Sequence, residues 1–166
     1  MTAHRRTARL ANWQIWLLCL SGAGLWLSGG IWLLLHYFGQ QQGEFGPETN
    51  PLEPWMMKLH GLVLIPALLG IGGMFVAHIP KGWDHVHQRV AGIALGAVLS
   101  VLIASGYMLY YVGDEALRAW TSLAHWGLGI MLPAIFLWHY LNGLLVRRRR
   151  TRPKRPGAAG VEQTAR

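Results

Sequence analysis

Four stretches of this chain, residues 13–35, 59–79, 90–112 and 120–146, contain no Asp, Glu, Lys or Arg. Each is close to the roughly 20 residues that a helix needs to cross a hydrocarbon layer about 30 Å thick. Inside lipid no water is available to the backbone amides. A run of this length therefore has to close its hydrogen bonds within itself, as a helix does. The expected architecture is all-α, an integral membrane four-helix bundle. Three segments follow: a basic N-terminus over 1–12, a transmembrane domain over 13–146 and a basic, disordered tail over 147–166. A hydrophobic fraction of 52% beside a charged fraction of 13% agrees with a membrane chain and not with an ordinary soluble domain.

The first span opens like a secretory signal, with Arg5, Arg6 and Arg9 ahead of it and small residues at 21–24. Hydrophobicity continues to Leu35, so a retained span is the better reading. Lys and Arg beside span ends bias the direction of insertion. Of the fifteen, Arg5, Arg6, Arg9, Lys81, Arg89 and the eight between Arg147 and Arg166 fall on one side, and Lys58 and Arg118 on the other. Both termini are thus expected in the cytoplasm, with the chain multi-pass in the membrane. The net charge of +8 sits mostly in the two terminal runs. It reads as topology anchors on an anionic lipid bilayer, and no nucleic acid partner is expected. Cys19 is the single cysteine, which excludes an internal disulfide, a c-type haem attachment and a cysteine-ligated iron–sulfur cluster. The loop between the first two spans, rich in Gly, Pro and polar residues, is expected to be irregular, with at most a short helix after Pro54. No internal repeat is visible.

Apart from tyrosine hydroxyls, histidines are the only ionisable groups within the spans, and such groups at membrane depth point to function. On the second span His60 and His78 are 18 residues apart, about five helical turns and ~27 Å of rise, hence on one face. On the fourth, His125 and His139 are 14 apart, about 40° from eclipsed and ~21 Å along the axis. These two spans run in the same direction. His60 is therefore expected opposite His125 near the outer side, and His78 opposite His139 near the inner side. Two neutral imidazoles on facing helices can fill both axial positions of a haem iron. The expectation is haem b held by these four histidines as axial metal ligands, as two groups or as a single one on His78 and His139. The ~6 Å difference between the two rises is a misfit for straight helices, which Pro66 offers a way to absorb.

Gly61, Gly70, Gly72, Gly73, Gly127 and Gly129 would let a flat macrocycle approach the backbone, or pack helices closely. Gly92 and Gly96 read as helix packing. Lys58 and Arg118 outside, with Lys81 and Arg89 inside, are candidate propionate contacts, and interfacial lysines also occur as ordinary membrane anchors. His36 closes the first span. It is an alternative outer ligand to His60, a quinone contact, or a residue facing water. His85 and His87 lack the ligand count of a dedicated metal site.

The residues HG at 60–61, His78, AHWGLG around His125 and LWHYLNG around His139 together resemble the bacterial four-helix di-haem cytochrome b families, related to the membrane cytochrome b subunits of hydrogenases and formate dehydrogenases. The likeness is one of pattern and covers residues 59–150. It implies non-covalent haem b on histidine pairs. It also implies electron transfer between quinone and a redox partner protein, within a larger oxidoreductase complex. Two departures stand out: related families often draw a ligand from the first span, where this chain has only His36 at the far end, and the 18-residue spacing on the second span is longer than usual.

The expected function is that of a membrane electron carrier or oxidoreductase subunit and not of a free-standing enzyme. A transporter or proton-conducting protein, in which histidines relay protons, is the chief rival. A non-haem assembly subunit is the third reading.

Overall fold

The computed structural model describes residues 11–82 and 86–151. Five helices and one β-hairpin follow in order: α1 (Asn12–Phe38), β1 (Gln41–Gly43), β2 (Gly46–Glu48), α2 (Glu53–Ala77), α3 (Ile79–Gly82), α4 (Val86–Tyr111) and α5 (Glu115–Thr151). Four of them, α1, α2, α4 and α5, are long and apolar enough to cross a membrane. Each of the four helices begins ahead of its charge-free run, and α1 and α5 also continue past theirs. Thus α5 extends to Thr151 through the arginines at 147–150, where the sequence suggests that a disordered tail has begun. Residues 1–10 and 152–166 lie outside the described part.

Among the described residues, only Ala67, Ala91 and Leu95 are both apolar and buried, whereas Leu62, Leu69, Trp13, Trp16, Val76 and many like them are exposed. In water such a surface would be untenable, and in a bilayer it faces a solvent as apolar as itself. Packing then depends on small residues and not on expulsion of water. A Cβ on Gly24 would come within 2.9 Å of Val63 Cγ1, and one on Gly70 within 2.8 Å of Leu18 Cδ2. Gly70 therefore serves the α1–α2 contact, as does Gly73, where a Cβ would meet Gln14 Nε2 at 3.3 Å. Polar side chains on the spans are satisfied locally: Ser21 Oγ donates to Leu17 O at 2.6 Å and Thr121 Oγ1 to Leu117 O at 2.7 Å.

The chain is organised as two helical hairpins. Backbone packing is extensive between α1 and α2 and between α4 and α5, and the hairpins approach each other more slightly, mainly through α1 and α5. The α1–α2 connection is not irregular, as its composition suggests, but a β-hairpin pairing Gln41 with Glu48 and Gly43 with Gly46. Gly46 adopts φ +123°, a conformation that side chains other than glycine's disfavour, and so closes a two-residue turn at Glu44–Phe45. No separate short helix follows. Pro54 lies in the first turn of α2 itself, where a missing N–H costs nothing. The α4–α5 connection is tight, and Asp114 Oδ1 caps α5 by accepting from Leu117 N at 2.7 Å.

Candidate functional site

Four imidazoles from α2, α5 and the residue that ends α2 form two pairs. His60 faces His125 with ring centroids 6.4 Å apart and planes at 70°. His78 faces His139 at 6.3 Å and 75°. The first pair lies toward the β-hairpin end of the bundle, the second toward the end where α1 begins and α5 finishes, called the terminus end below. A metal ion takes a histidine nitrogen at roughly 2.0–2.1 Å, and the ring centroid lies roughly 1.1 Å behind that nitrogen, so two ligands on opposite sides of one ion place their centroids about 6.3 Å apart. Both observed separations match. Rotating one ring about the shared axis leaves this distance unchanged, so near-perpendicular planes suit it equally well.

The straight-helix rises differ between the two strips, yet both pairs close to nearly the same separation. His78 is the C-cap of α2, past its last helical residue Ala77, with φ −100° and ψ −46°. Pro66 interrupts α2 and Pro133 interrupts α5. Each proline lacks the N–H for an i→i−4 hydrogen bond, which loosens the helix locally and gives the register a means of adjusting.

Each pair has its own surroundings. Ser28 Oγ on α1 lies 3.0 Å from His60 Nδ1, and Ser105 Oγ on α4 lies 2.9 Å from His125 Nδ1. The next residue in each case is glycine, and a Cβ there would stand 3.2 Å from His60 Cε1 at Gly29 and 3.3 Å from His125 Cε1 at Gly106. Gly92 holds the corresponding place for His139, with a looser 3.7 Å to Cε1. It therefore lies in the α4–α5 contact, where what it faces is an imidazole. Nδ1 of His78 and Nδ1 of His139 are buried and have no hydrogen-bond partner among the described residues.

His36 Nδ1 contacts Glu53 Oε2 at 3.1 Å and its ring stacks on Trp32 at 4.7 Å, so it ties the end of α1 to the start of α2. It does not replace His60 opposite His125. Lys58 Nζ lies 4.5 Å over the Trp55 ring. Arg118 is exposed and Arg89 half-buried. The side chains of Lys81 and His87, and all of His85, lie outside the described residues. Gly61, Gly72, Gly96, Gly127 and Gly129 would meet nothing within 4 Å on gaining a Cβ. Among the described residues, no cluster of three or more His, Cys, Asp or Glu side chains forms a metal cage.

Sequence reasoning pairs the four histidines but misses Ser28, Gly29 and Gly106. The Ser-Gly dipeptide is the one available signal. It also occurs at 21–22, where no imidazole is near, so the dipeptide alone does not single out its two functional copies. No family model, no characterised protein and no solved structure matches this chain.

Proposed function

We propose that the chain is a b-type cytochrome of the bacterial cytoplasmic membrane, with His60 and His125 holding one haem and His78 and His139 a second. The observation that carries this reading is the recurrence of one ring separation, 6.4 and 6.3 Å, in two histidine pairs on the same two co-directional spans. Each position offers two nitrogen donors, so an ion bound there takes its remaining ligands from a macrocycle, as iron does in haem. The haem iron, when bound, supplies reversible one-electron chemistry between its ferrous and ferric states. The chain supplies the axial nitrogens, an apolar sheath that excludes water, and a spacing of roughly 21–27 Å along the spans between the two positions. That spacing suits passage of electrons across much of a bilayer, between quinone in the lipid and a redox partner protein or complex. The excess of Lys and Arg at the terminus end supports a cytoplasmic location for both termini.

The test is a haem-to-protein ratio. Full-length chain expressed with ample haem and purified in detergent should give a pyridine haemochrome spectrum of haem b at two per chain. Colourless protein overturns the reading. A proton relay is less well supported, because the carboxylates within the described span helices, Glu53 and Glu115, lie in their first turns and Glu53 is already engaged by His36.

A further inference from the structure

Ser28 and Ser105 occupy equivalent places in the two helical hairpins, and each Oγ touches both a carbonyl of its own helix and a histidine of the facing one. Ser28 Oγ is 2.7 Å from Gly24 O and 3.0 Å from His60 Nδ1. Ser105 Oγ is 2.6 Å from Val101 O and 2.9 Å from His125 Nδ1. A hydroxyl carries one proton and two lone pairs. Two oxygens this close repel unless a proton lies between them, and a carbonyl has none to give, so each hydroxyl donates to its carbonyl. The serine then has only lone pairs left for the imidazole. Nδ1 must therefore be the protonated nitrogen, and in a neutral ring the lone pair resides on Nε2. Gly29 and Gly106 complete the arrangement by letting the Cε1–Nδ1 edge of each ring lie against the backbone, which fixes where the opposite side of the ring points.

We infer that Ser28 and Ser105 are positioning residues that lock His60 and His125 in the Nδ1–H form and present Nε2 as the ligating nitrogen. The ligating part rests on the haem reading, whereas the tautomer stands without it. A hydrogen bond accepted from Nδ1–H makes Nε2 more basic, which tightens the metal bond and favours the more positive ferric ion. Among the described residues the lock belongs to the β-hairpin-end pair, since Nδ1 of His78 and of His139 has no partner there. A proton relay through His60 or His125 would also be blocked, because the serine proton ends at a main-chain carbonyl.

The experiment uses full-length protein carrying nitrogen-15 histidine, in lipid nanodiscs and reduced with dithionite so that bis-histidine iron is diamagnetic. His60 and His125 should each show a slowly exchanging, protonated Nδ1. Ser28→Ala and Ser105→Ala should each speed that exchange, weaken retention of one haem by roughly tenfold or more, and raise the midpoint potential of one of two couples. Ser28→Thr and Ser105→Thr keep the hydroxyl and should restore all three properties, the slow exchange included. Ser21→Ala removes a hydroxyl that bonds Leu17 O at 2.6 Å without touching a histidine, and should change none of them. A proton on Nε2 of His60 or His125 overturns the inference, as do alanine variants with unchanged potentials and haem retention. If the protein is colourless, the haem reading fails while the same nitrogen spectrum still decides the tautomer. If the alanine variants do not accumulate, the unsubstituted and threonine proteins decide it.

Discussion

At the β-hairpin end of the bundle each imidazole is held from behind, by a serine hydroxyl at 3.0 or 2.9 Å and by a glycine that lets the ring sit against the backbone. At the terminus end the two rings stand at the same mutual distance with neither Nδ1 bonded, one on the last cap of α2 and the other over Gly92. Equal spacing with unequal support separates two jobs. Separation between donors decides whether an ion fits, and it is set by where α2 and α5 run. Ring orientation and donor strength are set by the neighbouring helix within each hairpin, and there the two ends differ.

The largest expected effects come from deleting a donor. If the proposed haems are bound, His125→Ala should remove the one at the β-hairpin end and His139→Ala the one at the terminus end, each halving the haemochrome ratio. Retention of both haems in either variant would remove that histidine from the ligand set. Next comes replacement of the glycines. Gly29→Ala and Gly106→Ala would force the ring away by a few tenths of an ångström, from contacts of 3.2 and 3.3 Å, and should broaden or shift the spectrum of one haem. Gly92→Ala places its methyl at 3.7 Å and should be tolerated. Equal damage from all three would erase the difference between the two ends.

Gly92→Ser sharpens the comparison from the other direction. Its Cβ would stand 4.0 Å from the unpartnered His139 Nδ1, so an added Oγ can reach hydrogen-bonding distance. The potential of the terminus-end couple should fall in a redox titration, opposite in sign to the effect of removing Ser105. The smallest effect is expected far from both pairs. Glu53→Gln weakens the contact to His36, whose side chain is 42% exposed, and should lower thermal stability by less than about 1 kcal/mol while leaving haem content unchanged.

Much of the bundle was legible in the chain because a charge-free run of about 20 residues has few ways to satisfy its backbone in lipid. The pairing of His60 with His125 and His78 with His139 followed from helical spacing and from the shared direction of α2 and α5. The helix ends were less legible, since the arginines at 147–150 mark the edge of the apolar run without ending the helix. The β-hairpin escaped notice because its strands are three residues long and Gly46 alone signals the turn. The glycines were only half legible for a related reason: a glycine shows that something approaches closely, and only the fold shows whether it is Leu18, as at Gly70, or His139, as at Gly92.

What the sequence determined by itself was periodic: span length, span number and the strip of each helix on which its histidines lie. All of these follow from hydrogen bonding and rise within a single segment. What only the tertiary structure decided was relational. Ser28 lies 32 positions from His60, and Ser105 lies 20 from His125. No local rule joins residues so far apart, and their contact exists because each hairpin's packing sets two helices at one height and one rotation. Proline breaks and the capping position of His78 then let two unequal helical rises end at matching ring separations, an adjustment that an ideal helix does not contain.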